Sequence, residues 1–377
     1  MCLLLLFAFQ EKKNKKRIDG AEWLEHFGGP EDKAPFAPLT NKPDTFDWQL
    51  FKRIALDKNN ENVVVSPFSV KILLSILKEA SDSSTLEELA RALVDIPEGK
   101  DGYELYQKIL KSLEFLEVIK SVYHTSIDNV DFNERDKTAE KINKWCSEVT
   151  NGKINELVKG IVAVLVNAIY FKGKWVLPFD ETDTKPHNFT LKTGESLPVS
   201  AMSQSEDFYF FDDELGNGTK LLRMAYKGSK YAMTFILPEK ADGLDNVLEN
   251  ITPGTIENFQ KLMRLTTVHV ILPKFEFETK SELKEILQKL NIRNIFSETA
   301  QLPRLGGEVF VSDIIQKAGV KVDEKGTTIF GATGEELKIN SSFALEFHAL
   351  HPFAFFLEDE TTGALLFAGK VVNPTNN

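Results

Sequence analysis

Apolar residues first recur at helical spacing in DTFDWQLFKRIAL, where Phe46, Leu50 and Ile54 share one face and predict an amphipathic helix. NVVVSPFSVKILLSILKEA then reads as a short buried strand, Val63 to Val65, entering a helix that Ser66 can cap with Pro67 at its first position. STLEELARAL is predicted as a further helix, its Ser84/Thr85 and Glu87/Glu88 set out as a capping box. DKTAEKINKWCSEVTNGKI is amphipathic and stops at Asn151-Gly152, residues suited to a left-handed helix terminus.

After this helix the period shortens. VAVLVNAIYFKGKW, TLKTGESLPVSAM, YAMTFILP and TTVHVILPKFEFE are rich in β-branched and aromatic residues and read as strands. SELKEILQKLNI returns to helical spacing. FALEFHALHPFAFFLED and ALLFAGKVVNP, joined by a turn from Glu360 to Gly363, read as a buried hairpin. Helices first and strands later, without strict alternation, predict an α+β fold on antiparallel or mixed sheets. Residues 10–44 are polar and broken by GGPEDKAPFAP and NKPD. Residues 1–44 are therefore expected to form a signal-like segment and N-terminal extension, with the folded body starting near Thr45.

Composition narrows the function. The chain has 377 residues, 42% hydrophobic and 27% charged, enough apolar material for a substantial core. A formal net charge of −11 argues against nucleic acid, whose phosphates need clustered Lys and Arg. The one basic block, EKKNKK at 11–16, reads as a solvated flank. With only Cys2 and Cys146, and Cys2 inside MCLLLLFAFQ, no intramolecular disulfide framework is implied, and zinc and cysteine-protease chemistry lack their residues. The apolar run at 2–9 looks like a signal-peptide core, although no basic residue precedes it and no small-x-small site follows. With the sequons at Asn188, Asn217, Asn250 and Asn340 it fits a secreted glycoprotein. No stretch reaches the roughly 18–20 apolar residues of a membrane span.

Catalytic motifs are missing from the sequence. The six histidines are scattered, with no Gly-x-Ser-x-Gly elbow, His-Glu-x-x-His helix or Walker loop. His348 and His351, beside a strand, read as surface or packing residues rather than metal ligands. Neither an enzyme, a metal nor a cofactor is called for.

One stretch lacks an explanation in these terms. Residues 322–342, VDEKGTTIFGATGEELKINSS, are polar and punctuated by glycine, with a single Ile-Phe pair, just ahead of the apolar C-terminus. The surrounding motifs account for it: NVVVSPFSV, INKWCSEVTNGKI, LVNAIYFKGKW, LPKFEFE, VSDIIQKAGVKVDEKGTT, HPFAFFLED and FAGKVVNP, in that order, resemble the serpin family over most of residues 45–377. The resemblance implies a single domain over residues 45–377, with a mixed main β-sheet and two smaller sheets, roughly eight or nine helices, and an exposed reactive-centre loop. It also implies a function, inhibition of a serine protease by a suicide-substrate route. The protease attacks the loop, an acyl-enzyme forms, and the cut loop inserts as a new strand of the main sheet, dragging the protease with it. The partner implied is a serine protease, with a cysteine protease the second candidate, and the inhibitor is expected to act as an extracellular monomer that performs no catalysis itself.

The family's control points carry over singly. Trp175, Lys274 and Glu324 match the breach, where insertion begins, and a Glu324–Lys274 salt bridge is expected. Ser66, Ser69 and Asn167 match the polar shutter, and Gln316 stands where the family usually has histidine. Gly326, Thr327, Thr328, Ile329, Phe330, Gly331 and Ala332 fall on the hinge. Family spacing from Glu324 puts the scissile bond at Asn340–Ser341, with Ile339–Asn340 and Lys338–Ile339 as alternatives. Lys338 as specificity residue would imply a trypsin-like target and Asn340 a legumain-type one, and a glycan on Asn340 would mask either bond.

Departures from the family pattern bear on mechanism. Inhibitors of the family usually carry an alanine-dominated hinge, whereas Ile329 and Phe330 are large. On insertion Thr327, Ile329, Gly331 and Thr333 would face one side of the sheet and Thr328, Phe330 and Ala332 the other. Forcing a large side chain into a small site costs about 1–3 kcal/mol, and slower insertion turns an inhibitor into a substrate. The segment GYELYQKILKSLEFLEVIKSVYHTSIDNVDF is too short for the elements the family places there, and KGIVAVLVN is abbreviated. A heparin-type site would need a basic helix face, for which this region offers only Lys108, Lys111 and Lys120. The alternative function implied is a non-inhibitory serpin, a binding or carrier protein whose loop is cleaved without trapping.

Overall fold

A computed structural model describes residues 46–93, 140, 144, 164–170 (backbone only), 173–213, 218–228, 230–303, 310–326, 345–360 and 363–376. The predicted first helix is α1, Phe46–Asp57, which buries Phe46, Leu50, Phe51 and Ile54. β1 (Val63–Val65) runs into α2 (Pro67–Ala80), and Ser66 caps it by accepting from Ser69 N at 3.4 Å.

α3 (Ser83–Ala92) begins one residue before the predicted box, and its cap is Asp82, whose carboxylate accepts from Ser83 N at 2.7 Å. The residues of the expected capping box serve tertiary contacts instead. Thr85 Oγ1 accepts from Gln301 N at 3.0 Å, and Glu88 Oε1 accepts from Arg293 N and Asn294 N, each at 2.6 Å. Of the helix predicted over DKTAEKINKWCSEVTNGKI only Glu140 and Lys144 are described, both helical.

The strands are β2 (Val164–Tyr170), β3 (Lys185–Thr190), β4 (Ser196–Asp212), β5 (Lys220–Ala225) and β6 (Tyr231–Leu237). Two helices without a sequence prediction follow, α4 (Leu244–Asn250) and α5 (Pro253–Leu262), the second capped by Thr252. β7 (Arg264–Pro273) and β8 (Phe275–Glu282) lead to α6 (Lys284–Lys289). That helix is shorter than SELKEILQKLNI predicts because the pairing of β8 continues to Glu282. β9 (Asp313–Val322), β10 (Leu345–His348), β11 (Phe353–Asp359) and β12 (Leu365–Val371) complete the set.

Two mixed sheets result. The larger has the order β1-β12-β11-β6-β5-β4-β7-β10, with β3 paired to β4, and the smaller is β2-β9-β8. The two minor sheets implied by the resemblance are continuous here, because β4 is long enough to pair with β3, β7 and β5 in turn. Six α-helices lie among the described residues.

One core fills the space between the sheets. Phe275 and Phe277 of β8 pack toward β11, with the Phe275 ring 5.9 Å from Phe353 and 5.7 Å from Phe355. A second core lies between the larger sheet and the helices and takes the alternate residues Ala354 and Phe356, with Trp48 of α1 edge-on to Phe356 at 5.4 Å. The hairpin β11–β12 is thus buried on both faces, the physical reason for its unbroken apolar run. Truncating any of these rings to alanine costs about 3–5 kcal/mol.

Candidate functional site: the β2–β9 seam and its polar fastenings

The smaller sheet holds the seam. β2 and β9 pair directly and in parallel, from Val164↔Asp313 through Asn167↔Gln316 to Tyr170↔Gly319, with no strand between them. β9 then ends in a tight turn, where Asp323 N donates to Gly326 O at 3.0 Å and Gly326 N to Asp323 O at 3.1 Å. Gly326 has φ +125°, and a Cβ there would lie 2.3 Å from Gly173 O and 2.7 Å from Lys174 Cα. Only glycine fits, because the chain returning past β2 approaches backbone to backbone.

Around this turn Trp175, Lys274 and Glu324 converge. Trp175 is fully buried, stacked on Tyr226 at 4.3 Å, and its indole N–H donates to Asp323 O at 3.2 Å. Trp175 N donates to Lys325 O at 3.2 Å and Phe179 N to Glu324 O at 2.9 Å. The Glu324 carboxylate accepts from Lys274 Nζ at 2.9 Å and from Thr184 Oγ1 at 2.8 Å. Burial pushes the Glu324 carboxyl up, but the Lys274 ammonium, backbone N–H and Thr184 hydroxyl outweigh it and hold the group below the usual carboxylate range. Asp323 next to it is shifted upward, chiefly by burial. Lys325 reaches outward to Glu181 at 2.7 Å.

Midway along the seam lies the second fastening. Gln316 Oε1 accepts from Ser66 N at 3.0 Å, and Gln316 Nε2 donates to Ser66 O and Ser69 Oγ, both at 2.9 Å. Ser66 Oγ donates to Leu366 O of β12 at 2.6 Å, and Ser69 Oγ to Ser66 O at 3.0 Å. Gln316, Ser66 and Ser69 are all buried. One amide therefore joins β9 to the start of α2 with both of its ends engaged. Asn167 sits opposite Gln316 in the backbone register of β2.

The sequence-predicted residues thus form two clusters along one seam. Thr184, Tyr226 and the Leu366 carbonyl are additional partners that sequence reasoning missed. Thr184 and Tyr226 lie on other elements, and nothing in DETDTK or RMAYKG marks them. The hinge beyond Gly326, namely Thr327, Thr328, Ile329, Phe330, Gly331 and Ala332, and the candidate bond residues Lys338, Ile339, Asn340 and Ser341 lie outside the described residues, as does the shortened segment before residue 140. Among the described residues no group of three His, Cys, Asp or Glu is placed to hold a metal, and no helix is long and apolar enough to cross a membrane.

Comparison with known proteins agrees with this architecture. The family model for Serpin (serine protease inhibitor) matches residues 41–114 and 103–374. Serine protease inhibitor 2 of Anopheles gambiae is 36% identical, covering 88% of this chain and 92% of its own. Antichymotrypsin-2 of Bombyx mori is 32% identical over 88% of this chain and 97% of its own. The crystal structure of Manduca sexta serine protease inhibitor (serpin)-12 superposes with a TM-score of 0.75 at 26% identity, covering 88% of this chain and 98% of that one. The chain belongs to the serpin family.

Proposed function

We propose that this protein inhibits a target serine protease as a suicide substrate, through cleavage of the segment 327–344 and insertion of its N-terminal part between β2 and β9. The observation that carries the reading is the direct parallel pairing of those two strands, with the chain turned away at Gly326 where an inserting strand would enter. Each strand supplies a free ladder edge once the pair separates, so an intervening strand gains two sets of backbone hydrogen bonds where one existed. Insertion is then downhill, while the breach and shutter bonds hold the unfilled state.

In this account the protease serine attacks the carbonyl of Asn340, or of Lys338 or Ile339, and forms the acyl-enzyme. Release of Gly326 from Lys174 and Trp175 starts insertion, and parting of Gln316 from Ser66 and Ser69 lets the seam open. Trp175, Lys274 and Glu324 act as the breach and Ser66, Ser69, Asn167 and Gln316 as the shutter. The inhibitor contributes conformational energy and no catalytic group. The relatives' names as protease inhibitors support this role. A secreted, glycosylated monomer of one domain over residues 45–377 fits the signal-like N-terminus and the exposed Asn188 sequon.

The test is incubation with trypsin, a chymotrypsin-like protease and legumain, followed by denaturing electrophoresis and mass spectrometry of the released peptide. An adduct of summed mass that survives denaturation is the expected result, and the peptide identifies the bond. Clean cleavage by every enzyme that cuts within 327–344, with no adduct, would overturn the reading in favour of a non-inhibitory carrier.

A further inference from the structure

At the end of the larger sheet, β10 is a strand of 4 residues paired, among the described residues, only to β7, in parallel register from Leu345↔Val268 to His348↔Ile271. A short edge strand of this kind gains little from its own ladder and is held by side-chain contacts. Phe347 buries its ring in the core, edge-on to Phe210 of β4 at 6.5 Å, and a polar contact on the solvent side also crosses between the strands. His269 Nδ1 and His348 Nε2 lie 3.0 Å apart with the rings edge to face, and His269 Nε2 lies 3.1 Å from Ser203 Oγ. Ser203, His269 and His348 thus form a hydrogen-bonded chain across β4, β7 and β10. A bond between two imidazole nitrogens needs one donor and one acceptor, so it exists only while at least one ring is neutral.

We propose that the His269–His348 pair is a pH-operated latch that fastens β10 to β7 at neutral pH and releases it when both rings become imidazolium. Two facing cationic N–H groups at this separation have no acceptor between them and repel.

Charged groups among the described residues surround the pair. On β10 the Glu346 carboxylate lies 3.9 Å from the far nitrogen of His348, Nδ1. On β5, Lys220 donates to Glu346 O at 3.2 Å and pairs with Asp212 at 3.2 Å. On β4, Asp207 accepts from Thr267 Oγ1 at 2.7 Å, and His187 of β3 is a further titratable neighbour. Burial lowers the His348 imidazole below its ordinary range; Glu346 opposes this, while His269, Lys220 and His187 add to it. The folded state therefore disfavours the proton on His348. Attachment of β10 is complete above the ordinary histidine value of about 6.5 and weakens as pH falls below it.

β10 is the first described element after residues 327–344, so the latch sets how firmly the far end of that segment is tied to the sheet. Its geometry involves β4, β7 and β10 alone and stands independently of the inhibitory reading. The test is hydrogen exchange of the full chain at about pH 7.5 and about pH 5.5, corrected for the intrinsic rate, reading residues 345–348 against β11 and β12. Protection of 345–348 is expected to drop about tenfold at the lower pH while β11 and β12 hold. Loss of this response in either His348→Gln or His269→Gln supports the latch. The proposal is overturned if β10 protection does not change with pH, if β11 and β12 loosen equally, or if both variants keep the full response.

Discussion

Gln316→Leu isolates the middle fastening of the seam. The substitution keeps volume and deletes the amide that serves Ser66 N, Ser66 O and Ser69 Oγ. The three losses differ. Ser66 O still accepts from Ser69 Oγ at 3.0 Å and from Val70 N at 3.4 Å, so neither that carbonyl nor the Ser69 hydroxyl is stranded. Ser66 N, in contrast, is left buried without Gln316, at a cost of about 1–3 kcal/mol. Two lost neutral hydrogen bonds add about 0.5–1.5 kcal/mol each, and the extra apolar burial of leucine returns about 1 kcal/mol. The net expectation is about 3 kcal/mol of lost stability, read from the first denaturant transition by tryptophan fluorescence with an unchanged slope. Ser69→Ala removes two hydrogen bonds, from Gln316 Nε2 and to Ser66 O, but leaves those two groups bonded to each other, and should cost about 1–2 kcal/mol. A loss below about 1 kcal/mol for Gln316→Leu would refute the view that this amide holds the seam. Gln316→His adds a contrast, because a histidine at this buried position should add its own titration between about pH 5 and 7 to the pH dependence that His348 and His351 already give the protein.

Four further outcomes follow from the same geometry. Gly326→Ala must abandon φ +125° and move the chain off Gly173 O, so it should destabilise the intact protein by about 2 kcal/mol or more in thermal unfolding. Lys274→Met should cost about 1 kcal/mol at neutral pH; because the folded Glu324 carboxyl lies below its ordinary range, the difference should persist above about pH 4.5 and vanish as pH falls through the lowered value. Lys370 in β12 is buried, donates to Asn59 O at 3.1 Å, and burial lowers its ammonium to about 8, so Lys370→Met should be the more stable protein at pH 7, with the gap closing as pH rises through the lowered value. Replacing Ile329 and Phe330 by alanine should raise the yield of adduct over cleaved product, about tenfold if insertion is eased by 1.4 kcal/mol, and an unchanged ratio on gels would remove the hinge from the account.

Local signals were strong where one residue type has one use. The Ser66-Pro67 cap, the helical face of Phe46, Leu50 and Ile54, and the apolar hairpin Phe353–Val371 could all be read directly, because capping, amphipathicity and two-sided burial each leave a short-range pattern. The capping box at Ser84 was misplaced because Gln301, Arg293 and Asn294, distant in sequence, engage the side chains of Ser84, Thr85 and Glu88. α4 escaped notice for want of a capping side chain, Gly243 standing at its start. For the site, resemblance supplied Trp175, Lys274 and Glu324, but the stacking of Tyr226 beneath Trp175 and the Thr184 bond to Glu324 depend on how elements meet. The His269–His348 contact was invisible for the same reason, since neither histidine has a chain neighbour that marks it.

The most direct measurement compares the melting temperature of the intact protein with that of a sample nicked within 327–344 by a protease it does not trap. Insertion between β2 and β9 would add a strand's worth of net hydrogen bonds and packing, on the order of 10 kcal/mol, so the account predicts a clearly higher melting temperature for the cleaved form. An unchanged or lower value would show that the seam stays closed, and would contradict the proposed mechanism.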